Sequence, residues 1–541
     1  MADAPAPPPK AARGGAAFVA AGIFLSRIAG LIRTRVFAHY FGAESPAGDV
    51  FNAALKIPNF LQNLFGEGVL SASFIPVYAK LLGEKNHIEA DRVAGVIATL
   101  LALITSILAL LGFIFAPYLT LAITPGFSAE KRELTVQCVR IVFPGVALLV
   151  MSAWCLGVLN SHRKFFLSYV APVIWNLSII GAMLAFGGRQ SLDELAKTMC
   201  WGLVLGSFLQ FAVQFPTVWK LAPDLKFGVE WASANVRIVL TSFGAVVIGR
   251  GVVQISAYID SMIASWLPDG AVTTLGYAQI IYLLPISLFG MSVSAASLAE
   301  MSRERAGHDD EESTHARLRG HLDRGLRQIA FFIVPSTVAF MFLGDIIAAA
   351  IFQTGKFDAN AARLVWFTLA GYGVGLLAST LGRLYSSTFY ALQDTRTPLR
   401  FAIVRVVLVS ILGYFGAIYL PGWLGFEPIY GVVGLTAMAG VAGWVEFCLL
   451  RRAMNLRIGA ISLPVTFLAQ LWIPALAGAA GGWGMKWLAE WLRESQPVHP
   501  IFVAIFVFGV FGVIYFGGTL LAGVPQAKAL RDTLLRRFVR R

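Results

Sequence analysis

Apolar stretches of roughly 20 residues recur along the chain from Phe18 to Gly523 and are separated by short polar gaps. About 20 helical residues cross the hydrocarbon core of a bilayer, so such stretches are typical of transmembrane helices. The pattern predicts an all-α integral membrane protein with about 14 transmembrane helices. The predicted helix centres are Ala29, Leu64, Ser106, Leu148, Ile179, Phe208, Val253, Leu288, Val338, Leu376, Ser410, Ala439, Ala477 and Phe511.

The chain also contains an internal repeat. The segment LFGEGVLSASF at residues 64–74 resembles LFGMSVSAASL at residues 288–298, and two later loops repeat in the same order. Ordered matches of this kind indicate duplication, here as two pseudo-symmetric six-helix lobes in parallel orientation, followed by a C-terminal helix pair. The predicted domains are a disordered cytoplasmic tail at 1–16, an N-lobe at 17–222, a C-lobe at 236–452 with a cytoplasmic connection at 303–327, the helix pair at 463–523 and a basic cytoplasmic tail at 524–541.

Composition and charge agree with a membrane location. The chain is 57% hydrophobic and 13% charged, whereas a soluble globular protein has about 25% charged residues. Its net charge of +13 does not indicate a nucleic-acid partner, because Lys and Arg concentrate in the loops on the side of the N-terminal tail. That distribution is the positive-inside pattern of cytoplasmic loops. We therefore expect both termini in the cytoplasm and no nucleic-acid partner.

Several basic residues lie inside the predicted spans. An arginine at the bilayer centre costs about 2.5–3.5 kcal/mol on insertion scales, so it normally faces a polar cavity or a partner. Arg27 lies near the middle of the first span, and Arg250 holds nearly the equivalent position in the second lobe. Because a guanidinium fork matches phosphate oxygens in pairs, a phosphate or pyrophosphate ligand is favoured. The predicted substrate-binding cations are Arg27, Arg33, Lys56, Arg250 and Arg383.

Other polar residues in the spans suggest further roles. The candidates for gating or ion coupling are Asp49, Glu67 and Asp260, and the candidates for polar cavity lining are Asn59, Gln62 and Gln254. In an alternative interpretation, Arg33 and Arg35 reach the outer interface or pair with Asp49. Phosphate-binding loops, metal-ligand spacing and nucleophile motifs are absent from the sequence, so we expect no cofactor, metal or catalytic residue. The four cysteines have no C-x-x-C spacing and are predicted to be buried hydrophobic residues.

The segments SRIAGLIRTRVFAHYFG, GDVFNAALKIPNFLQNLFGEGVLSASFIPVY, TPGF, QTGKF and FYALQDTRTP resemble the MurJ (MviN) family of lipid II flippases, in the multidrug/oligosaccharidyl-lipid/polysaccharide exporter superfamily. The resemblance implies a bacterial inner-membrane transporter in which two lobes form a V around a cationic cavity and the last helix pair lines a groove for the lipid tail. It also implies alternating access that carries the pyrophosphate-linked headgroup to the outer leaflet for peptidoglycan synthesis. The family's functional residues fall on Arg27, Arg33, Asp49, Glu67-Gly68 and Arg383.

Two positions depart from the family pattern. Gln62 and Ile280 stand where the family has arginines, and Arg250 stands where it more often has a neutral residue. Three alternatives to lipid II translocation are a flippase for another polyprenyl-pyrophosphate glycan, a multidrug cation exporter and a transport-inactive scaffold. Lipid II translocation and the first two alternatives make the protein a transporter. None of these interpretations makes it an enzyme. The expected partners are lipid II or a related lipid, membrane lipids and cell-wall synthesis proteins; proton, sodium and membrane potential all remain open as driving forces.

Overall fold

The computed structural model describes residues 10–229, 233–306, 311–493 and 499–539. The structure is 87% helical and the described residues contain no β-strand, so the predicted all-α class is confirmed. Within this part of the chain, 11 helices are long and apolar enough to cross a membrane by length and composition. They coincide with the third to sixth and the eighth to fourteenth predicted spans. Helices also form at the other three predicted spans, and the total of about 14 remains a prediction.

The chain divides into two compact units, of which unit 1 comprises Met1–Ser265 and Thr354–Lys356. Its helices are α1 (Lys10–Phe41), α2 (Pro46–Phe65), α3 (Glu67–Gly83), α4 (His87–Ile114), α5 (Ala116–Ile123), α6 (Ala129–Ser161), α7 (Phe165–Phe186), α8 (Leu192–Leu221) and α9 (Ala234–Ala264). Helix α1 already begins at Lys10, within the tail predicted at 1–16, because Ala-rich sequence favours continuation of the helix.

Helix α9 packs on α2, α3, α4 and α5, which places it in unit 1. The internal repeat instead assigns this helix to the predicted C-lobe at 236–452. A sequence repeat records duplication of the chain and does not determine which helices pack together. A helix of the second repeat can therefore pack against helices of the first. The lobe boundaries therefore remain a prediction.

The second predicted span, centred on Leu64, consists of two helices and not one. Helix α2 begins with Ser45 as its N-cap and Pro46 in its first turn, and it ends at Phe65. Gly66 has φ −91° and ψ −146°, which interrupts the helix before α3 begins. Its N–H still donates to the Gln62 carbonyl at 2.7 Å. The buried Gly66 thus makes a break in a segment predicted to lie at membrane depth.

Unit 2 comprises Trp266–Gln353 and Phe357–Arg541. Its α-helices are α10 (Ala271–Pro285), α11 (Ser292–Ala306), α12 (Glu311–Phe342), α13 (Gly344–Phe352), α14 (Ala359–Ala391), α15 (Arg396–Ile418), α16 (Leu420–Leu424), α17 (Gly431–Ile458), α18 (Val465–Arg493), α19 (Pro500–Leu521) and α20 (Pro525–Val539). A π-helix at Ile286–Met291 joins α10 to α11, and a 3-10 turn at Pro428–Tyr430 precedes α17.

The core of unit 2 is centred on α14. Gly375 of α14 approaches Gly440 of α17 so closely that a Cβ has no room, a form of packing that small residues permit between membrane helices. The loop after α14 is held by Asp394, which accepts hydrogen bonds from the Thr397 N–H at 3.0 Å and the Arg457 guanidinium at 2.7 Å. Although burial opposes it, these bonds hold the pKa of Asp394 below its usual value.

The cysteine prediction is correct for three of the four residues. Cys138, Cys155 and Cys200 are buried free thiols, whereas Cys448 on α17 is exposed. An apolar helix that crosses a bilayer turns part of its surface toward lipid, so apolar sequence context alone does not place a side chain in the protein core.

Candidate substrate-binding site

Helix α1 carries two of the predicted substrate-binding cations. Arg27 is exposed, and Arg33 is half-buried with its guanidinium carbon 5.1 Å from the centroid of the Trp175 ring on α7. Neither arginine forms a hydrogen bond or an ion pair with any residue that the structure describes. Both positive charges therefore lack a carboxylate partner in the described part of the chain.

Asp49, predicted for gating or ion coupling, is buried in an ion pair. Its carboxylate lies 2.6 Å from the Lys131 ammonium, and the exposed fractions of the two side chains are 1% and 7%. Lys131 also lies 4.2 Å from the centroid of the Phe127 ring. The pair joins the first turn of α2 to the first turn of α6. The sequence pattern alone does not indicate Lys131 as a partner of Asp49.

The predicted polar residues of α2 share one side of the helix. Lys56, Asn59 and Gln62 follow one another at intervals of three residues; Asn59 is exposed and the other two are half-buried. The carboxylates of Asp260 and Asp49 lie close enough to attract the Lys56 ammonium. Lys56 and two of the predicted coupling carboxylates thus belong to the same unit of the chain.

Tyr258 of α9 contacts α2 beside this polar side. Its hydroxyl donates to the Lys56 carbonyl at 2.9 Å, and its ring packs edge-on against Phe60 at 5.5 Å between centroids. Sequence reasoning missed Tyr258, because an aromatic residue in an apolar span carries no positional signal. A neighbouring cavity of about 700 Å³ in unit 1 has an apolar lining that includes Ile57 and Leu61 of α2. Helix α2 therefore separates polar from apolar surroundings.

Arg383 lies on α14 in unit 2. Its side chain is exposed between the buried residues Gly382 and Leu384, and it makes no hydrogen bond or ion pair with the described residues. Ile280, at a position where the family has an arginine, is half-buried on α10. The side chains of Glu67, Arg250 and Gln254 lie outside the part that the structure describes, although all three residues belong to described helices.

Two other cations on helices of unit 2 are paired with carboxylates. Arg405 of α15 lies 3.1 Å from Glu446 of α17, and Lys486 of α18 forms an ion pair with Asp345 of α13. These two pairs show that the fold supplies carboxylates to some of its membrane cations. Among the described residues, Arg27, Arg33 and Arg383 have no such carboxylate partner. Across the described residues, no group of three or more His, Cys, Asp or Glu side chains could hold a metal ion.

Comparison with solved structures identifies the class of fold. The fold matches a structure described as lipid II flippase MurJ in an inward closed conformation, with a TM-score of 0.71 and 24% identity over 93% of this chain and 99% of that one. It also matches an inward-facing multidrug resistance MATE family transporter, with a TM-score of 0.61 and 17% identity over 80% of this chain and 95% of that one. The chain therefore has the fold that these two transporters share, and the second of them is described as a member of the MOP superfamily.

Sequence comparison then identifies the family. The family model described as lipid II flippase MurJ matches residues 37–499. The lipid II flippase MurJ of Burkholderia cenocepacia is 30% identical over 517 residues, which cover 93% of this chain and 96% of that protein. The chain belongs to the MurJ lipid II flippase family.

Proposed function

We propose that the protein moves lipid II, the undecaprenyl-pyrophosphate-linked peptidoglycan precursor, from the inner to the outer leaflet by alternating access. The observation that carries this proposal is that Arg27 and Arg33, on the first helix of a MurJ family member, have no carboxylate partner among the residues that the structure describes. A diphosphate that crosses hydrocarbon needs counter-charge, and unpaired guanidinium groups supply both that charge and hydrogen-bond donors. The mechanism needs no covalent chemistry.

The residues divide into three proposed roles. Cations bind the diphosphate and comprise Arg27, Arg33, Lys56, Arg250 and Arg383. Polar side chains line the cavity and bind the headgroup through hydrogen bonds, and they comprise Asn59, Gln62 and Gln254. The third group acts in gating or ion coupling and comprises Asp49, Glu67 and Asp260. Because Asp49 forms an ion pair with Lys131, we propose that it gates transport by holding α2 against α6.

The surroundings of the protein follow from this role. Lipid II is made on the cytoplasmic side and used outside, so the chain works in the bacterial inner membrane with both termini in the cytoplasm. Cell-wall synthesis proteins consume the delivered lipid and are its expected functional partners. The final helix pair, α18 and α19, provides the groove for the polyprenyl tail.

Complementation tests the proposal. We expect Arg27→Ala and Arg33→Ala each to abolish the rescue of a bacterium depleted of its own lipid II flippase, because each removes a cation proposed to bind the diphosphate. The matched control is Arg189→Ala in the exposed loop between α7 and α8, which should rescue as the unaltered protein does. Immunoblots of membrane fractions check that all variants accumulate equally.

The contrary outcomes are distinct. Rescue by both variants would refute the cationic site, whereas failure of the unaltered protein to rescue would support a transport-inactive scaffold. In a reconstituted flipping assay with labelled lipid II, excess unlabelled lipid II should compete more strongly than an O-antigen-type polyprenyl diphosphate. Stronger competition by the O-antigen lipid would assign the protein to the other flippase class.

A further inference from the structure

The contact between Arg33 and Trp175 depends on close packing of α1 against α7. Gly30, one turn before Arg33, faces the Asn176 side chain, and a Cβ at Gly22 would collide with Tyr169. Small residues thus let the two helices approach closely. The backbone beneath Arg33 is therefore held at a defined distance from the Trp175 ring.

A ring face holds a guanidinium differently from a carboxylate. Attraction to the face of an indole restrains the cation, yet it uses none of the guanidinium N–H donors and leaves the charge unneutralised. In contrast, Arg405 donates an N–H to the Glu446 carboxylate at 3.1 Å, and that carboxylate neutralises much of its charge. No residue that the structure describes accepts a hydrogen bond from Arg33. Its N–H donors are therefore available for a ligand.

Two buried polar atoms lie on α7 beside this contact. The indole nitrogen of Trp175 and the amide oxygen of Asn176 have no hydrogen-bond partner among the described residues. A buried indole N–H normally finds an acceptor. Among the described residues, this donor and the neighbouring Arg33 therefore both lack an acceptor, which a ligand could supply.

We propose that Trp175 is a positioning residue, which holds the Arg33 guanidinium with its N–H donors directed to the diphosphate of the substrate. This inference rests on the proposed function and deepens it. It gives the substrate site a component on α7, a helix without any of the predicted site residues. The ligand class is a prenyl diphosphate ester.

The test measures binding of farnesyl diphosphate to the purified full-length protein in lipid nanodiscs by isothermal titration calorimetry. Trp175→Leu removes the ring face and should weaken binding roughly 5- to 30-fold, while Trp175→Phe keeps a weaker face and should lose less than about threefold. The matched control is Trp201→Leu, which alters an exposed tryptophan of α8 and should bind as the unaltered protein does.

A double variant separates positioning from packing. If Trp175 acts through Arg33, Arg33→Ala combined with Trp175→Leu should bind no more weakly than Arg33→Ala alone. If Trp175 is purely structural, the double variant should lose binding by the sum of the two single losses. Trp175→Leu and Trp175→Phe should then also lower the melting temperature equally.

Failures of the two proposals differ. Loss of binding in Arg33→Ala without loss in Trp175→Leu would refute only the role of Trp175. Unchanged binding in Arg33→Ala, or no binding by the unaltered protein, would refute the proposed substrate site and this inference with it.

Discussion

Asp49 and Lys131 form a buried ion pair in which each charge depends on the other. Removal of one partner from such a pair is costly because the remaining ion keeps its desolvation penalty and loses its attraction, whereas exposed pairs contribute little. The pair therefore behaves as one structural unit that ties the first turn of α2 to that of α6. Its contribution to stability is separable from any part that Asp49 has in transport.

Single substitutions should expose this coupling. We expect Asp49→Asn and Lys131→Met each to lose about 3–5 kcal/mol of stability, and the double variant to lose clearly less than the sum. The measurement is thermal unfolding of the purified variants in detergent. Lys197→Met is the control, because its pair with Glu194 is far more exposed to solvent than the pair of Lys131 and Asp49. Additive losses would show that the two side chains act independently.

At the residue scale, sequence reasoning found the cations but not their surroundings. Depth in a predicted span indicated Arg27 and Arg33, because bilayer energetics act on any buried charge. The same reasoning could not find Lys131 as the partner of Asp49, or Trp175 as the ring that contacts Arg33. They are distant in sequence, and only the tertiary packing of α6 and α7 brings them into contact.

At the scale of elements, helix irregularities recur at equivalent places in the repeat. The sequence LFG occurs at residues 64–66, where α2 breaks, and at residues 288–290, within the π-helix of unit 2. Backbone breaks at membrane depth persist only inside protein or beside a water-filled cavity, and π-helical turns are frequent at functional sites. We infer that both copies of the repeat retain a point of bending that a rocking transporter can use.

The break at Gly66 should not tolerate a side chain. A Cβ at this position would overlap the Gln62 carbonyl oxygen, so we expect Gly66→Ala to lose about 1–3 kcal/mol of stability through overpacking. The measurements are melting temperature and rescue of flippase-depleted cells. Gly181→Ala on α7 is the control, because a Cβ there meets open space. A Gly66→Ala protein with unchanged melting temperature and rescue would show that the break is dispensable.

At the scale of the whole molecule, the bilayer makes much of the fold predictable. Hydrocarbon demands apolar helices of a minimum length, so the all-α class and the positions of the spans follow from hydropathy. Packing is not determined in this way. The placement of α9 within unit 1 and the interruption of the second span at Gly66 depend on close contacts, which apolar composition does not specify.

The predicted topology is also testable at this scale. The positive-inside distribution and the even number of predicted spans place both termini in the cytoplasm. Fusions of green fluorescent protein to either end should fluoresce, and alkaline phosphatase at either end should be inactive. Phosphatase inserted after Arg189 should be active, because the loop between α7 and α8 is predicted to face outward. Phosphatase activity at either terminus would overturn the predicted orientation.

The packing of α1 on α7 has a consequence for biosynthesis. During synthesis α1 emerges from the ribosome long before α7, because α2 to α6 lie between them in the chain. A nascent chain that stops short of α7 has a first span without the tryptophan that restrains Arg33. We therefore expect the Arg33 side chain to gain its restraint only after α7 has been inserted beside α1.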